Sequence, residues 1–269
     1  MGKLLELIEV TKLYDSGRKS VVGVEKVSFE VREGEFISII GPSGCGKSTL
    51  LRCIAGFEKL SSGKILLEGN PVSKPGPDRF MVFQGLDQLF PWLTVKENIT
   101  FAMKAVKKIE DKEEINEKAR QYLELVGLAE WASCYPYQLS GGMKQRAAIA
   151  RALSVNPKVL LMDEPFGSLD AFSRRVMQQM LIKVWQKTGV TILFVTHDIE
   201  EAIDLSDRIL AFSPGRLKAD LANSLPRPRT RDLAAYRTFL LEISALLDPV
   251  STAVDDFDGV SVPEAKLAF

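Results

Sequence analysis

The residues best suited to chemistry lie in GPSGCGKS, 41–48. Their spacing is G-x-x-x-x-G-K-[ST]. The apolar run FISII precedes them and the helical pattern KSTLLRCIAGF follows, which is the strand–loop–helix context a phosphate loop requires. Gly41, Pro42, Ser43, Gly44, Cys45 and Gly46 form a loop whose backbone can curl until successive N–H groups point at phosphate oxygens. Cys45 serves there through its N–H, whatever its side chain. Lys47 is placed to reach the β- and γ-phosphates, the Ser48 hydroxyl to ligate Mg²⁺, and Thr49 to bond an α-phosphate. A plain glycine turn before a helix would not need the Lys-Ser pair.

Three further groups fit the same chemistry. VLLMDEP is an apolar strand pattern ending in Asp163, suited to the Mg²⁺ water shell, with Glu164 next in line to polarise an attacking water. His197, the single histidine, follows the run TILFVT and so falls at the same sheet edge as Asp163 and Lys47. There it can contact a γ-phosphate and orient Glu164. The third group is LSGGMKQR, 139–146. Ser140 is a good N-cap, and Gly141 and Gly142 leave backbone N–H groups bare at the head of a helix, MKQRAAIARALSV, that stops before Pro157. This second anion grip has no companion Lys-Ser and no acidic strand. It cannot build a nucleotide site alone, but it can complete one on another copy of the chain.

These groups must be held by a scaffold, and the apolar patterning outlines it. VSFEVREGEF places Val27, Phe29 and Val31 on one face at period two, then turns, and KILLEGN is a short strand ending in a Gly-Asn turn. FISII, VLLM (159–162), VTILFV (190–195) and RILAF (208–212) are continuous apolar runs, as strands buried on both faces should be. Between them lie the amphipathic patterns KEEINEKARQYLELVGL and SRRVMQQMLIKVWQKTG, each ending at a glycine. Buried strands alternating with helices predict a parallel α/β core. The stretch 85–155 is helix-rich without a buried strand run and reads as an inserted helical subdomain. Beyond 216 the signals weaken: LPRPRTR is a basic, Pro-broken linker, DLAAYRTFLLEISALLD reads as one helix, and 249–269 reads as a frayed, disordered tail.

Composition bounds the function. The 269 residues are 46% hydrophobic and 26% charged, so the chain is globular. The 35 basic residues balance the 35 acidic ones, which argues against a nucleic-acid partner. No apolar run spans a bilayer, and MGKLLELIEV has no cleavage-like site, so no signal peptide is expected. Cys45, Cys53 and Cys134 cannot all pair and lack metal-ligand spacing, which favours a reducing, cytoplasmic setting.

With these motifs in this order, residues 1 to about 216 resemble an ATP-binding cassette, the motor subunit of an ABC transporter. LSGGM resembles the family signature, usually LSGGQ, with Met143 as the departure. The resemblance implies a P-loop NTPase core with a mostly parallel sheet, an N-terminal antiparallel β subdomain and the helical subdomain at 85–155, followed by an extension over 217–269. It implies ATP and Mg²⁺ as ligands, and two ATPs sandwiched in a head-to-tail dimer, where Ser140, Gly141 and Gly142 cap the ATP of the partner. Tyr14 resembles the aromatic that stacks on adenine, against the alternative of a core tyrosine at a strand end. Gln84, ending MVFQ, resembles the glutamine that senses Mg²⁺ and joins the core to the helical subdomain. GSLD, with Ser168 and Asp170, resembles the D-loop that crosses the dimer interface, and His197 matches the switch histidine.

Family cassettes also serve DNA repair, with a long coiled-coil insertion, and translation, with two cassettes per chain; neither feature is present. The resemblance therefore implies a transport ATPase at the cytoplasmic face of a membrane, working with permease subunits and, indirectly, a substrate-binding protein. Phe90, Pro91, Trp92 and Leu93 form an apolar cluster that either receives a permease helix or packs within the helical subdomain. GPDRFMVFQ, LFPWLTV and LSGGM resemble importers for nitrate, sulfonates, taurine and bicarbonate, although that group is expected to have a small residue near Phe80, where this chain departs slightly. The alternatives are importers of another small solute, such as a thiamine precursor or a riboflavin-type compound, and a non-transport cassette. All named motifs precede residue 216, so the remainder is expected to be dispensable for ATP turnover.

Overall fold

The computed structural model describes residues 2–15, 17, 20–106 and 111–247. Its elements, in order, are β1 (Lys3–Asp15), β2 (Ser20–Arg32), β3 (Phe36–Ile40), α1 (Lys47–Ala55), β4 (Ser62–Leu67), β5 (Asn70–Pro71), β6 (Arg79–Val82), α2 (Val95–Val106), α3 (Lys112–Leu125), α4 (Gly141–Ser154), β7 (Val159–Asp163), α5 (Ala171–Thr188), β8 (Thr191–Val195), α6 (Ile199–Leu205), β9 (Arg208–Ser213), β10 (Arg216–Ala222) and α7 (Ala234–Leu247). A four-stranded antiparallel sheet has the order β2-β1-β4-β5. A six-stranded sheet has the order β10-β9-β3-β8-β7-β6, parallel except for the antiparallel edge strand β10. The α/β core with its mostly parallel sheet is thus as the patterning indicates, and the N-terminal antiparallel sheet is as the resemblance implies.

The period-two rule decides which face each side chain serves. In β2, Val27, Phe29 and Val31 are buried while Ser28 and Glu30 are exposed. The central strands β3, β7 and β8 are buried throughout, because both of their faces are covered. Leu160, Met162, Ile192 and Phe194 join a core with the helices α2–α5. Their neighbours Leu161, Leu193 and Val195 point the other way, into a core with α1 and the antiparallel sheet. The helices α2, α3 and α4 therefore share a continuous apolar core with one face of the parallel sheet.

The sequence reading delimits no strand at 3–15, 79–82 or 216–222 and no helix at 199–205, and these become β1, β6, β10 and α6; 95–106, within the helix-rich stretch 85–155, becomes α2. The reading of 249–269 lies outside the described residues. The expected boundary at 216 falls on the first residue of β10, a strand of the main sheet. Beyond it, Asn223 Nδ2 donates to the buried carbonyls of Ile203 and Ser206, each at 2.9 Å, and Arg229 Nη1 donates to Ile203 O at 2.6 Å. Tyr236 and Ile243 of α7 are fully packed against α6 and β9. Truncation after Gly215 would orphan these carbonyls, at about 1–3 kcal/mol each, and uncover the β9 edge. We expect it to lower the thermal midpoint by roughly 10 °C or more, read by differential scanning calorimetry. ATPase loss without that shift would instead put a functional element in the extension.

Candidate active site

The glycine loop joins β3 to α1. Gly46, at φ +102°, lies in the left-handed region, and a Cβ there would run into the Gly23 carbonyl. A Cβ on Gly41 would stand 2.5 Å from Phe212 O. Only glycine lets the loop pass between these backbones. At the head of α1 no side chain caps the N–H groups and no acidic residue occupies the first turn, so the positive end of the helix is left for an anion. Lys47 is buried, and its Nζ donates to Gly41 O and Pro42 O, each at 2.8 Å. The ammonium thus rests on loop carbonyls at the place where phosphate oxygens would be met.

Sheet order then brings the acidic groups in. β8 lies between β3 and β7, so the turn after β8 separates the glycine loop from the end of β7. Thr196 N–H donates to Ile39 O at 3.2 Å and Glu164 N–H to Val195 O at 3.0 Å, which laces the three strand ends together. Ser48 Oγ donates to Asp163 Oδ1 at 2.7 Å, across 115 residues of sequence. Burial pushes the Asp163 carboxyl above the usual range, partly offset by Ser48 and Arg52. A nearby cation would offset the same cost. The donors here are a hydroxyl and a carboxylate, hard oxygens of the kind that Mg²⁺ takes together with phosphates and water.

Glu164 has φ +43°, sparsely populated for a residue with a side chain and costing about 1–3 kcal/mol. That conformation turns its carboxylate to His197, with Oε2 3.1 Å from Nδ1. A carboxylate can only accept, so Nδ1 carries the proton and Nε2 is left for a second partner. Gln84 Nε2 and Glu164 Oε2 both border Gly167, at 3.5 and 3.8 Å from where its Cβ would stand. The structure therefore brings together Lys47, Ser48, Asp163, Glu164, His197 and Gln84. Tyr14 and Thr49 approach one another over Gly23, whose Cβ would lie 2.9 Å from the Tyr14 ring and 3.0 Å from Thr49 Cγ2.

The other glycine pair stays apart. Ser140 caps α4, accepting from Met143 N–H at 3.3 Å, and the space over Gly142 is open. Among the described residues no hydrogen bond joins Ser140, Gly141 or Gly142 to the glycine loop of the same chain. Ser168 is exposed, and Asp170 caps α5 by accepting from Ser173 N–H at 2.9 Å; its hydrogen bonds with Ser173 hold its carboxyl below the usual range.

The sequence reading misses the residues that fix these groups from behind. Thr196 Oγ1 donates to the buried Glu201 at 2.6 Å and accepts from Asp198 N–H at 3.1 Å, which sets the corner that carries His197. Asn98, buried within α2, accepts from Phe90 N–H at 2.8 Å and donates to Phe90, Leu93 and Thr94 carbonyls at 3.0–3.1 Å. It holds the turn from which Trp92 projects, 70% exposed, beside Phe90 and the exposed Phe101. An asparagine inside a helical pattern signals neither cap nor turn, so these bonds have no sequence signature.

Residues 24–167 match the family described as ABC transporter. The chain is 43% identical over 231 residues to the aliphatic sulfonates import ATP-binding protein SsuB of Bacillus cereus, across 85% of this chain and 90% of that protein. It is 45% identical over 226 residues to the nitrate import ATP-binding protein NrtD of Synechococcus elongatus, across 83% of this chain and 82% of that protein. Among solved structures, the dimeric post-hydrolysis state of the ATP-binding cassette MJ0796 bound to ADP and Pi superposes with a TM-score of 0.73 at 33% identity, across 82% of this chain and 99% of that one. A phosphate loop and an acidic strand end within the matched residues leave one conclusion: the chain belongs to the ABC transporter family, whose ATP-binding proteins hydrolyse ATP to drive transport.

Proposed function

We propose that this ATPase energises import of a small anion, of the nitrate, sulfonate, taurine or bicarbonate class. It would work as a dimer of two copies at the cytoplasmic face of a membrane, beside a separate permease supplied by a substrate-binding protein. The observation that carries the catalytic part is the Glu164–His197 pair at 3.1 Å beside the Ser48–Asp163 pair at 2.7 Å. In this reading the loop N–H groups and Lys47 bind the β- and γ-phosphates, and Thr49 meets the α-phosphate. Lys47 need only exchange carbonyl partners for phosphate oxygens. Glu164 accepts a proton from the attacking water, held in place by His197, whose Nε2 side faces the γ-phosphate. Ser48, Asp163 and Gln84 would hold Mg²⁺, which when bound offsets charge on the β- and γ-phosphates. Tyr14, beside Thr49, stacks on the adenine. Ser140, Gly141 and Gly142 cap the ATP of the second copy, and Ser168 and Asp170 lie at that interface.

The anion class is supported by the printed functions of the two importer relatives. The permease is supported by the exposed rings of Trp92 and Phe101 next to the Gln84 loop, an apolar surface of the kind that receives a helix. Among the described residues no helix is long and apolar enough to cross a membrane, so the spanning work would fall to that partner. Disrupting the gene and measuring uptake of labelled nitrate, taurine and bicarbonate tests the proposal. One uptake should be lost, restored by the wild-type chain and not by Lys47→Ala. Loss of thiamine-precursor or riboflavin uptake instead would favour the alternative importer, and no change in any uptake would overturn the transport role.

A further inference from the structure

The short loop after β6 carries Gln84, and its next residues lie along one face of α4. Leu86 Cδ1 stands 3.1 Å from where a Gly141 Cβ would be, and Asp87 Oδ1 lies 3.8 Å from Lys144 Nζ. Gln88 Nε2 lies 3.5 Å from Gln145 Oε1, and Arg151 Nη1 donates to Gln88 O at 2.7 Å. Positions 141, 144, 145 and 151 share a helix face. Gln88 also grips its own loop: its Oε1 accepts from Phe83 N–H at 2.8 Å, and its Nε2 donates to Phe83 O and Gly85 O, each at 2.6 Å. The Gln88 side chain thus ties the backbone on both sides of Gln84 and lies against Gln145 on the helix that Ser140 caps, while its backbone carbonyl takes the Arg151 bond.

Gln145 argues that the contact is more than packing. It is fully buried, yet its Nε2 has no partner among the described residues. A half-satisfied buried amide destabilises a fold relative to an apolar residue of similar shape.

We propose that Gln88 is a positioning residue that fastens the Gln84 loop to the LSGGM helix, so that nucleotide sensed at the core and the glycines offered to the partner copy move as one body. The inference rests on the roles given above to Gln84 and to Ser140–Gly142. It is tested in the Glu164→Gln background by following ATP-driven dimerisation by size exclusion, ADP binding by calorimetry and the thermal midpoint. ADP binding uses the phosphate loop without the partner copy. Gln88→Ala removes the three loop bonds and the Gln145 contact but keeps the Arg151 bond to the backbone carbonyl; it should leave ADP affinity unchanged while raising the ATP concentration for half-dimerisation about tenfold. Gln145→Leu should give the same shift with stability unchanged or improved, which a purely structural role could not produce. Dimerisation unchanged in both variants would overturn the inference, as would parallel losses of midpoint and ADP binding. A Glu164→Gln parent that forms no dimer with ATP would overturn the signature reading beneath it.

Discussion

Replacing Glu164 by glutamine is expected to abolish steady-state ATP hydrolysis while leaving ATP binding intact. A general base contributes about 10²–10⁴-fold in rate, and the amide keeps the shape of the side chain without its basicity. Its carbonyl oxygen can still accept from His197 Nδ1, so the corner should not rearrange. The groups proposed to meet the nucleotide are elsewhere: Lys47 on its two loop carbonyls, the uncapped N–H groups of α1, and the Ser48–Asp163 pair. The φ of +43° at this position is as demanding for glutamine as for glutamate, so stability should change by no more than about 0.5 kcal/mol. With hydrolysis blocked, ATP should hold two copies together. Size exclusion with and without ATP and Mg²⁺ reads this directly, and ADP should not produce the dimer. Turnover near the wild-type rate would remove Glu164 from the role, whatever its distance to His197.

Much of this site was legible because phosphate chemistry constrains local sequence. A loop that must present N–H groups needs glycines at fixed offsets, and the Lys-Ser that follows has no cheaper explanation. Asp163 and Glu164 were legible for a different reason: an apolar strand that ends in two carboxylates must place them at a sheet edge. What the sequence could not supply was the strand order. That β8 lies between β3 and β7, and so puts His197 beside Glu164, depends on the β3–β8 pairing, whose partners such as Phe36 and Ile192 lie more than a hundred residues apart. The supporting side chains were illegible altogether. Asn98, Glu201, Gln88 and Gln145 are polar residues inside patterns that read as ordinary helix or loop, and their partners are fixed only by the finished fold. β10 was missed because an edge strand with alternating burial and mostly polar outward residues, RLKADLA, carries a weak apolar signal. Gly141 and Gly142 show the opposite case: easily seen, and among the described residues without a hydrogen bond to the glycine loop of their own chain.

That isolation makes a mixed-dimer experiment decisive. Ser140→Arg and Lys47→Ala should each be inactive alone, for different reasons. Ser140 is exposed and its cap is worth about 1 kcal/mol, so the arginine should be tolerated by its own chain. Its bulk and charge would jam the site of the partner copy instead. Lys47→Ala keeps an intact signature but removes the ammonium from the phosphate loop. In a mixed dimer, one composite site joins the intact loop of the first chain to the intact signature of the second, and the other site holds both lesions. The hybrid should therefore trap ATP at one site per dimer under non-hydrolysing conditions, where neither parent traps any. Differently tagged chains, co-purified through both tags, allow bound nucleotide to be counted per hybrid. A cis-acting signature predicts the reverse. Each chain would then carry its own lesion into every site, and the hybrid would bind no more than its parents. Equal behaviour alone and mixed would leave Ser140, Gly141 and Gly142 as a structural helix start and take the dimer out of the mechanism.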